Sequence, residues 1–146
     1  MKIKNIFFCL LAFTAFAGCD MSAQPIHYGK DQCEFCKMMI VDNHFGAEIL
    51  TVKGKTLKFD SGECMVHFRN QNRINAADVK QYLVTDYNHP FKMLDATLCF
   101  FLQSTQLPSP MGANLSAYAS EMEAYVQKQT HEGIVMNWQQ LIDNLK

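Results

Sequence analysis

The sequence predicts an α+β protein built from two similar small lobes of ββα type, with mostly antiparallel sheets. The order of the elements indicates this class, because strand-like segments precede a helix-like segment twice, over residues 47–72 and again over residues 80–129. The chain has 146 residues, of which 49% are hydrophobic. That size suits one compact domain, or two small lobes that share a core.

The N-terminus has the composition of a secretory signal. Two lysines precede an apolar run over residues 6–16, and small residues come directly before Cys19. The run is too short for a stable membrane-spanning helix, which takes about 20 apolar residues. We therefore predict a signal peptide over residues 1–18 and lipid attachment at Cys19, with residues 19–29 as anchor and tether. The alternative is an ordinary cleaved signal in which Cys19 has no special role.

The first predicted lobe contains a hairpin followed by a helix. Residues 47–52 alternate as in a strand, Lys53-Gly54 is a plausible tight turn, and residues 56–59 form the returning strand. Ser61 then caps a helix that ends near residues 70–72. The lobe boundaries are placed at about residues 30–76 and 77–146.

The second predicted lobe has strands over residues 80–87 and 97–102. A helix of about four turns follows. Its apolar face consists of Leu115, Ala119, Met122 and Val126. Gly133 fits the stop after this helix. Residues 134–136 form a short strand, and Asn137 caps a final helix.

Charge and cysteine content restrict the function. The formal net charge of −1 is mild, and no basic patch with interleaved aromatic residues occurs, so nucleic acid is not expected as a partner. Outside the signal and the anchor position, the remaining cysteines are Cys33, Cys36, Cys64 and Cys99. Outside the cytosol an even number of thiols raises the possibility of a disulfide, and a Cys33–Cys36 bond therefore stays open beside metal binding.

The most informative motif is Cys33-x-x-Cys36-x-Met38. Its spacing lets both thiols face one ion across a tight turn, and the thioether of Met38 adds a third soft donor. Soft sulfur donors select Cu(I), whereas a thioether is a poor ligand for Zn(II). We therefore predict a copper-binding lipoprotein with Cu(I) as its ion and no enzymatic activity.

Two other functions stay open for the same cysteines. The first is a lipoprotein that binds Zn(II) or another metal as a sensor or store through Cys33, Cys36, Cys64 and His67, although no second Cys-x-x-Cys pair supports a zinc ribbon. The second is a thiol–disulfide oxidoreductase that uses Cys33 and Cys36. That spacing is usual for redox catalysis, but no strand precedes the motif here.

Further soft donors occur later in the chain. Cys64 and Met65 begin the first predicted helix, whose N-terminus favours a thiolate; the alternative for Cys64 is a small buried hydrophobic residue. Met111 stands between Pro110 and Gly112 in a rigid loop, as a ligand candidate or as a packing residue. Cys99 lies in an apolar stretch and is expected to be inert core.

Five segments together resemble the NosL-type nitrous oxide reductase accessory lipoproteins. They are Cys33-x-x-Cys36-x-Met38, Lys58-Phe59-Asp60-Ser61-Gly62-Glu63-Cys64-Met65, Asp95-Ala96, Ser109-Pro110-Met111-Gly112 before Ala117-Tyr118-Ala119, and Gly133-x-x-Met136-x-Trp138-x-x-Leu141. The resemblance covers nearly all of the mature chain. It implies a fold of two ββα-like lobes, related to that of organomercurial lyase.

The resemblance also implies a function and its residues. It implies a Cu(I) carrier in the cell envelope, lipid-anchored at Cys19 to a membrane and facing the periplasm. The carrier would deliver copper to the ABC-type maturation complex of nitrous oxide reductase, or to the reductase itself. Carried over residue by residue, Cys33, Cys36 and Met38 match the cysteine-rich motif, and Met111 matches the methionine of the Pro-Met-Gly segment. One departure is Lys37, which stands where the family usually has glycine.

Overall fold

The computed structural model describes residues 22–146; the predicted signal peptide and Cys19 lie outside the described residues. In chain order, the elements are β1 Ala47–Thr51, β2 Thr56–Phe59, α1 Gly62–Asn70, β3 Val79–Thr85, β4 Met93–Asp95, β5 Phe100–Gln103, β6 Leu115–Tyr118, α2 Glu121–His131, β7 Ile134–Asn137 and α3 Trp138–Asn144. This is an α+β protein with antiparallel sheets, as predicted. No helix within residues 22–146 has the length and apolar character needed to cross a bilayer.

The fold consists of two ββαβ units with the same strand order. In the first sheet the order is β2-β1-β3-β4, and in the second it is β6-β5-β7. In each unit the first strand lies in the middle and pairs antiparallel with both neighbours. The outer strands are therefore parallel to each other and need a crossover, which α1 and α2 provide.

The start of the second unit differs from the prediction. The sequence placed its first strand at residues 80–87, but β3 completes the first sheet, and β4, which was not predicted, extends that sheet. The second unit begins at β5. The order of strands along the chain did not reveal this, because sheet membership depends on pairing between residues far apart in sequence.

Local capping signals placed three helix boundaries correctly. The Ser61 hydroxyl accepts a hydrogen bond from the Cys64 N–H and begins α1. Asn137 and Gln140 form a reciprocal capping box at the start of α3. Gly133, with φ of 117°, follows the last turn of α2.

Two predictions between residues 96 and 126 were wrong. Residues 97–102 were predicted as one strand, but a 3₁₀ turn spans Ala96–Leu98, because the Asp95 carboxylate accepts from the Thr97 N–H at 2.9 Å. The helix predicted from Leu115 begins at Glu121 instead, and its predicted apolar face is solvent-exposed at Met122 and Val126. The preceding segment pairs with β5 as a strand, and this pairing overrides the helical spacing.

Both units contribute to one hydrophobic core. Buried residues from β1, β2 and α1 contact buried residues of β5, β6, β7 and α3, among them Phe59, Val66, Phe101 and Leu141. The two units therefore share one core. The start of α1 packs in this shared core, because Glu63, Cys64, Met65 and Val66 are buried.

Residues 24–31, here called the N-terminal strap, pack on the domain although part of them was predicted as a free tether. The Gln24 N–H donates to Thr56 Oγ1 at 2.9 Å. Lys58 Nζ donates to the Pro25 carbonyl at 2.8 Å and to Asp31 Oδ2 at 2.7 Å. The strap therefore fixes the chain to β2 before the cysteine motif begins.

The carboxyl group of Glu48 on β1 is buried near this strap. The residue is 1% exposed, and its Oε1 atom has no hydrogen-bond partner among the described residues. Burial raises the pKa of Glu48 to about 7, although the Lys58 ammonium opposes the shift. An acidic side chain that is half protonated near neutrality thus lies inside the first unit.

Candidate metal centre

The cysteine motif forms a tight turn attached to β2. The Cys33 N–H donates to the Met38 carbonyl at 2.8 Å, and the Lys37 N–H donates to the Cys33 carbonyl at 3.0 Å. The Glu34 N–H donates to the Lys58 carbonyl of β2 at 2.8 Å. These bonds hold the two thiols of the motif next to the point where β2 ends and α1 begins.

Three thiols and one carboxylate meet at this point. One donor atom each from Cys33, Cys36, Asp60 and Cys64 lies within 4.8 Å of the other three. Cys33, Cys64 and Asp60 are buried, and Cys36 is partly exposed. Cys64 therefore lies next to the two cysteines of the motif, and it is also buried, so it has features of both alternatives that the sequence left open. We call this group the donor cluster.

The geometry of β2 and α1 explains how the cluster forms. Asp60 directly follows β2, and Ser61 caps α1, so Cys64 falls in the first helical turn. A change of direction between strand and helix brings these positions close together. The sequence did not predict Asp60 as a member of the donor cluster. An acidic residue beside the cap of a cysteine-bearing helix is the signal that could have indicated it.

Hydrogen bonds make the three thiols chemically unequal. The Cys64 thiol and backbone N–H groups of the turn donate to Cys33 and lower its pKa to about 6, despite burial. Burial raises the pKa of Cys36 to about 11, and its thiol donates to Asp60 Oδ2 at 3.4 Å. The pKa of Cys64 is also raised, because its proton is held by the Cys33 sulfur.

Of the three thiols in the cluster, Cys33 therefore ionises most readily. The helix N-terminus had been expected to favour a thiolate at Cys64 instead. The hydrogen bond to Cys33, burial and the Asp60 carboxylate together raise the pKa of Cys64 and oppose that effect. A metal ion that binds more than one sulfur must therefore displace protons from the cluster.

A cavity of about 350 Å³ opens beside the donor cluster. Its lining is Met38, Met39, Val41, Asp42, Asp60, Pro108, Ser109 and Pro110. Met38 is 55% exposed, so its thioether lies at an open mouth. Met39 is exposed as well. The centre is accessible from one side and closed by the core on the other.

Met111 reaches this region from the second unit. It lies in the connection between β5 and β6, directly after the Pro108–Pro110 wall of the cavity. Its side chain is 40% exposed. The Met111 N–H donates to Glu63 Oε1 at 3.1 Å, which joins its loop to the first turn of α1. The backbone of Met111 is therefore held beside the helix turn that carries Cys64.

The remaining candidates lie elsewhere. Met65 is fully buried and packs in the hydrophobic core. The His67 ring stacks on Phe35 with centroids 5.7 Å apart and is not in the donor cluster. Cys99 is buried and its thiol donates to the Asp95 carbonyl at 3.1 Å, which agrees with its predicted place in the core.

Lys37, at the position where the family resemblance implies glycine, has a backbone conformation that favours glycine. Its φ is 64°, in the left-handed region, and its ammonium pairs with Glu34 Oε2 at 3.2 Å. The turn of the motif is therefore kept without glycine, and the lysine charge is directed to Glu34.

The variant Lys37→Gly is expected to raise the free energy of unfolding by about 1 kcal/mol. The reason is that a residue with a Cβ atom is strained in the left-handed region, whereas glycine is not. Urea unfolding of the metal-free reduced protein measures this. Lys53→Gly is the control, since Lys53 is an exposed turn lysine without positive φ and should lose stability. A less stable Lys37→Gly protein would mean that the Glu34 pair outweighs the backbone strain.

The chain is similar to known copper-binding proteins. The NosL family model matches residues 25–145. The copper-binding lipoprotein NosL of Stutzerimonas stutzeri is 27% identical over 90% of this chain and 76% of its own length. The crystal structure of the copper chaperone NosL from Shewanella denitrificans shares the fold, with a TM-score of 0.70 and 20% identity over 82% of this chain and 94% of that one. These relatives are named as copper-binding proteins and not as enzymes. Because the family match spans most of its length, this chain belongs to the NosL family.

Proposed function

We propose that this chain is a Cu(I) carrier, lipid-anchored at Cys19 in the cell envelope and facing the periplasm. It would deliver copper to the maturation complex of nitrous oxide reductase, an ABC-type complex with a periplasmic component, or to the reductase itself. Family membership supports the copper-binding part of this proposal. The observation that carries it is the three-thiol donor cluster beside an open, methionine-lined mouth.

The donor set favours a monovalent soft ion. Cys33, Cys36 and Cys64 supply sulfur, and the thioethers of Met38 and Met111 need no deprotonation, so they remain donors at any pH. Among the three thiols of the donor cluster, only Cys33 has a lowered pKa. A Cu(I) ion bound by two or three sulfur atoms, thioethers among them, would therefore displace few protons. We assign Met65 to packing, because it is enclosed by the core.

The open mouth suits release of the ion. A carrier must give up its ion as well as bind it, and Cys36 and Met38 are the donors nearest to solvent. An acceptor protein can approach through the cavity and replace one of these ligands before the buried thiols dissociate from the ion. Transfer then proceeds by ligand exchange without free copper.

One observation favours Zn(II) as a second candidate. Asp60 supplies a carboxylate oxygen to the donor cluster, and three thiolates with one carboxylate make a tetrahedral zinc site. Competition between the two ions, with the reduced protein and a chelator of known affinity for each, separates the candidates. We expect Cu(I) to be retained and Zn(II) to be displaced. Tighter binding of Zn(II), or X-ray absorption of the Cu(I) form with only nitrogen and oxygen neighbours, would overturn the proposal.

Removing the thioether at the mouth is expected to weaken copper binding. For Met38→Ala we expect a loss of Cu(I) affinity of about tenfold, or ~1.4 kcal/mol, because one soft donor is lost while the thiols remain. Chelator competition measures the change. Met122→Ala is the matched control, since Met122 is 74% exposed on α2, and its affinity should equal that of the wild type. If Met38→Ala and Met122→Ala bind Cu(I) with equal affinity, Met38 is a surface residue and not a ligand.

A further inference from the structure

Glu63 is a buried carboxylate whose partners all come from the second unit. It is fully buried in the first turn of α1. Ser109 Oγ donates to its carboxylate, at 2.6 Å to Oε1 and 2.9 Å to Oε2 as alternative contacts of one hydroxyl. The backbone N–H groups of Met111 and Ala113 donate to Oε1 at 3.1 and 3.2 Å. No salt bridge to Glu63 occurs among residues 22–146.

The backbone of the loop is shaped around this carboxylate. Gly112 has φ of 82°, which turns the chain so that the N–H groups on both sides of it point the same way. Successive N–H groups in such a turn form a concave site for an anion. Ser109 Oγ also accepts from the Asn114 N–H at 2.8 Å and so closes the loop on itself. Glu63 therefore anchors to α1 the part of the loop that bears Met111.

Glu63 adjoins Cys64 in sequence, and Ser109 lines the mouth of the donor cluster. One helical turn therefore supplies a thiol to the cluster and holds the loop that carries Met111. We propose that Glu63 is a positioning residue of the metal centre, whose buried carboxylate fixes the Ser109–Ala113 loop so that the Met111 thioether can reach an ion bound by the thiols. This inference rests on the proposed function.

Replacing the carboxylate should then act through Met111. Glu63→Gln keeps the size of the side chain, but its amide replaces one acceptor oxygen by a donor that faces Ser109 Oγ. We expect a fall of about 10–100-fold in Cu(I) affinity, the range typical of losing a group that orients a metal ligand. In a Met111→Ala background the same substitution should change the affinity less than about twofold, because the ligand that it positions is already gone.

The test is therefore a double-mutant cycle with four proteins: wild type, Glu63→Gln, Met111→Ala and the double variant. Cu(I) affinity comes from chelator competition, and the number of sulfur neighbours comes from X-ray absorption. We expect the single variants to lose the same sulfur neighbour and the double variant to lose no more. Ser109→Ala, which removes the hydroxyl but keeps both amide bonds, is the milder variant if Glu63→Gln fails to fold. Glu123→Gln, in the first turn of α2, is the matched control and should bind as the wild type does.

The outcomes separate this inference from the function on which it rests. Additive losses in the cycle, or unchanged affinity in Met111→Ala, overturn the positioning role while the Cu(I) carrier stands. A wild-type protein that prefers Zn(II) overturns the carrier itself. Non-additive losses with a shared sulfur neighbour support both.

Discussion

Cys33→Ser is expected to lower Cu(I) affinity by more than about 100-fold, which exceeds the usual loss for a group that only orients a ligand. The Cys33 sulfur accepts a hydrogen bond from the Cys64 thiol, which lowers the pKa of Cys33, so Cys33 is the thiol that ionises most readily. Serine keeps the size and the backbone bonds of the turn but supplies a hard oxygen, which Cu(I) disfavours. Chelator competition under reducing conditions measures the affinity.

Cys99→Ser provides the matched control for this result. Cys99 is also buried, but it lies outside the donor cluster, and a serine hydroxyl can keep the bond to the Asp95 carbonyl. Its Cu(I) affinity should equal that of the wild type. If Cys33→Ser and Cys99→Ser bind copper equally well, the donor cluster is not the binding site.

Glu48→Gln is expected to change how stability depends on pH. In the folded protein burial raises the pKa of Glu48 from 4.5 to about 7. A raised pKa of an acid means that its contribution is fully present below pH 4.5 and is lost as pH rises through 7, because the folded state must then ionise a buried group. At 1.36 kcal/mol per pKa unit, the loss approaches about 3 kcal/mol.

The measurement is the difference in unfolding free energy between Glu48→Gln and wild type. Urea titrations between about pH 4 and 8 cover both the ordinary and the raised pKa of Glu48. The difference should grow in favour of glutamine by about 3 kcal/mol across that window. Glu132→Gln, at an exposed glutamate, serves as the control and should give a nearly flat difference. A flat difference for Glu48→Gln would show that the carboxyl ionises in the folded protein without cost.

Local signals in the sequence were reliable, and signals that depend on distant pairing were not. Ser61 and Asn137 cap their helices because capping needs only neighbouring residues. The segment from Leu115 looked helical by spacing, yet it pairs with β5 and forms a strand. Nothing in its own residues shows that partner.

The candidate site followed the same division. Cys33 and Cys36 are adjacent by their spacing alone, and the helix start made Cys64 a reasonable third thiol. Asp60 and Glu63 escaped notice, since each gains its role only when the chain folds back. Met111 was found by resemblance, and the loop that holds it became clear only from the contacts with Glu63.

The N-terminal strap has a consequence for where copper can change hands. Gln24 already bonds to β2, and an extended chain spans at most about 3.6 Å per residue, so a lipid on Cys19 would stay within roughly 18 Å of that bond. If Cys19 carries the proposed lipid, the domain would be held close to the bilayer. An acceptor of its copper would then have to approach the membrane surface.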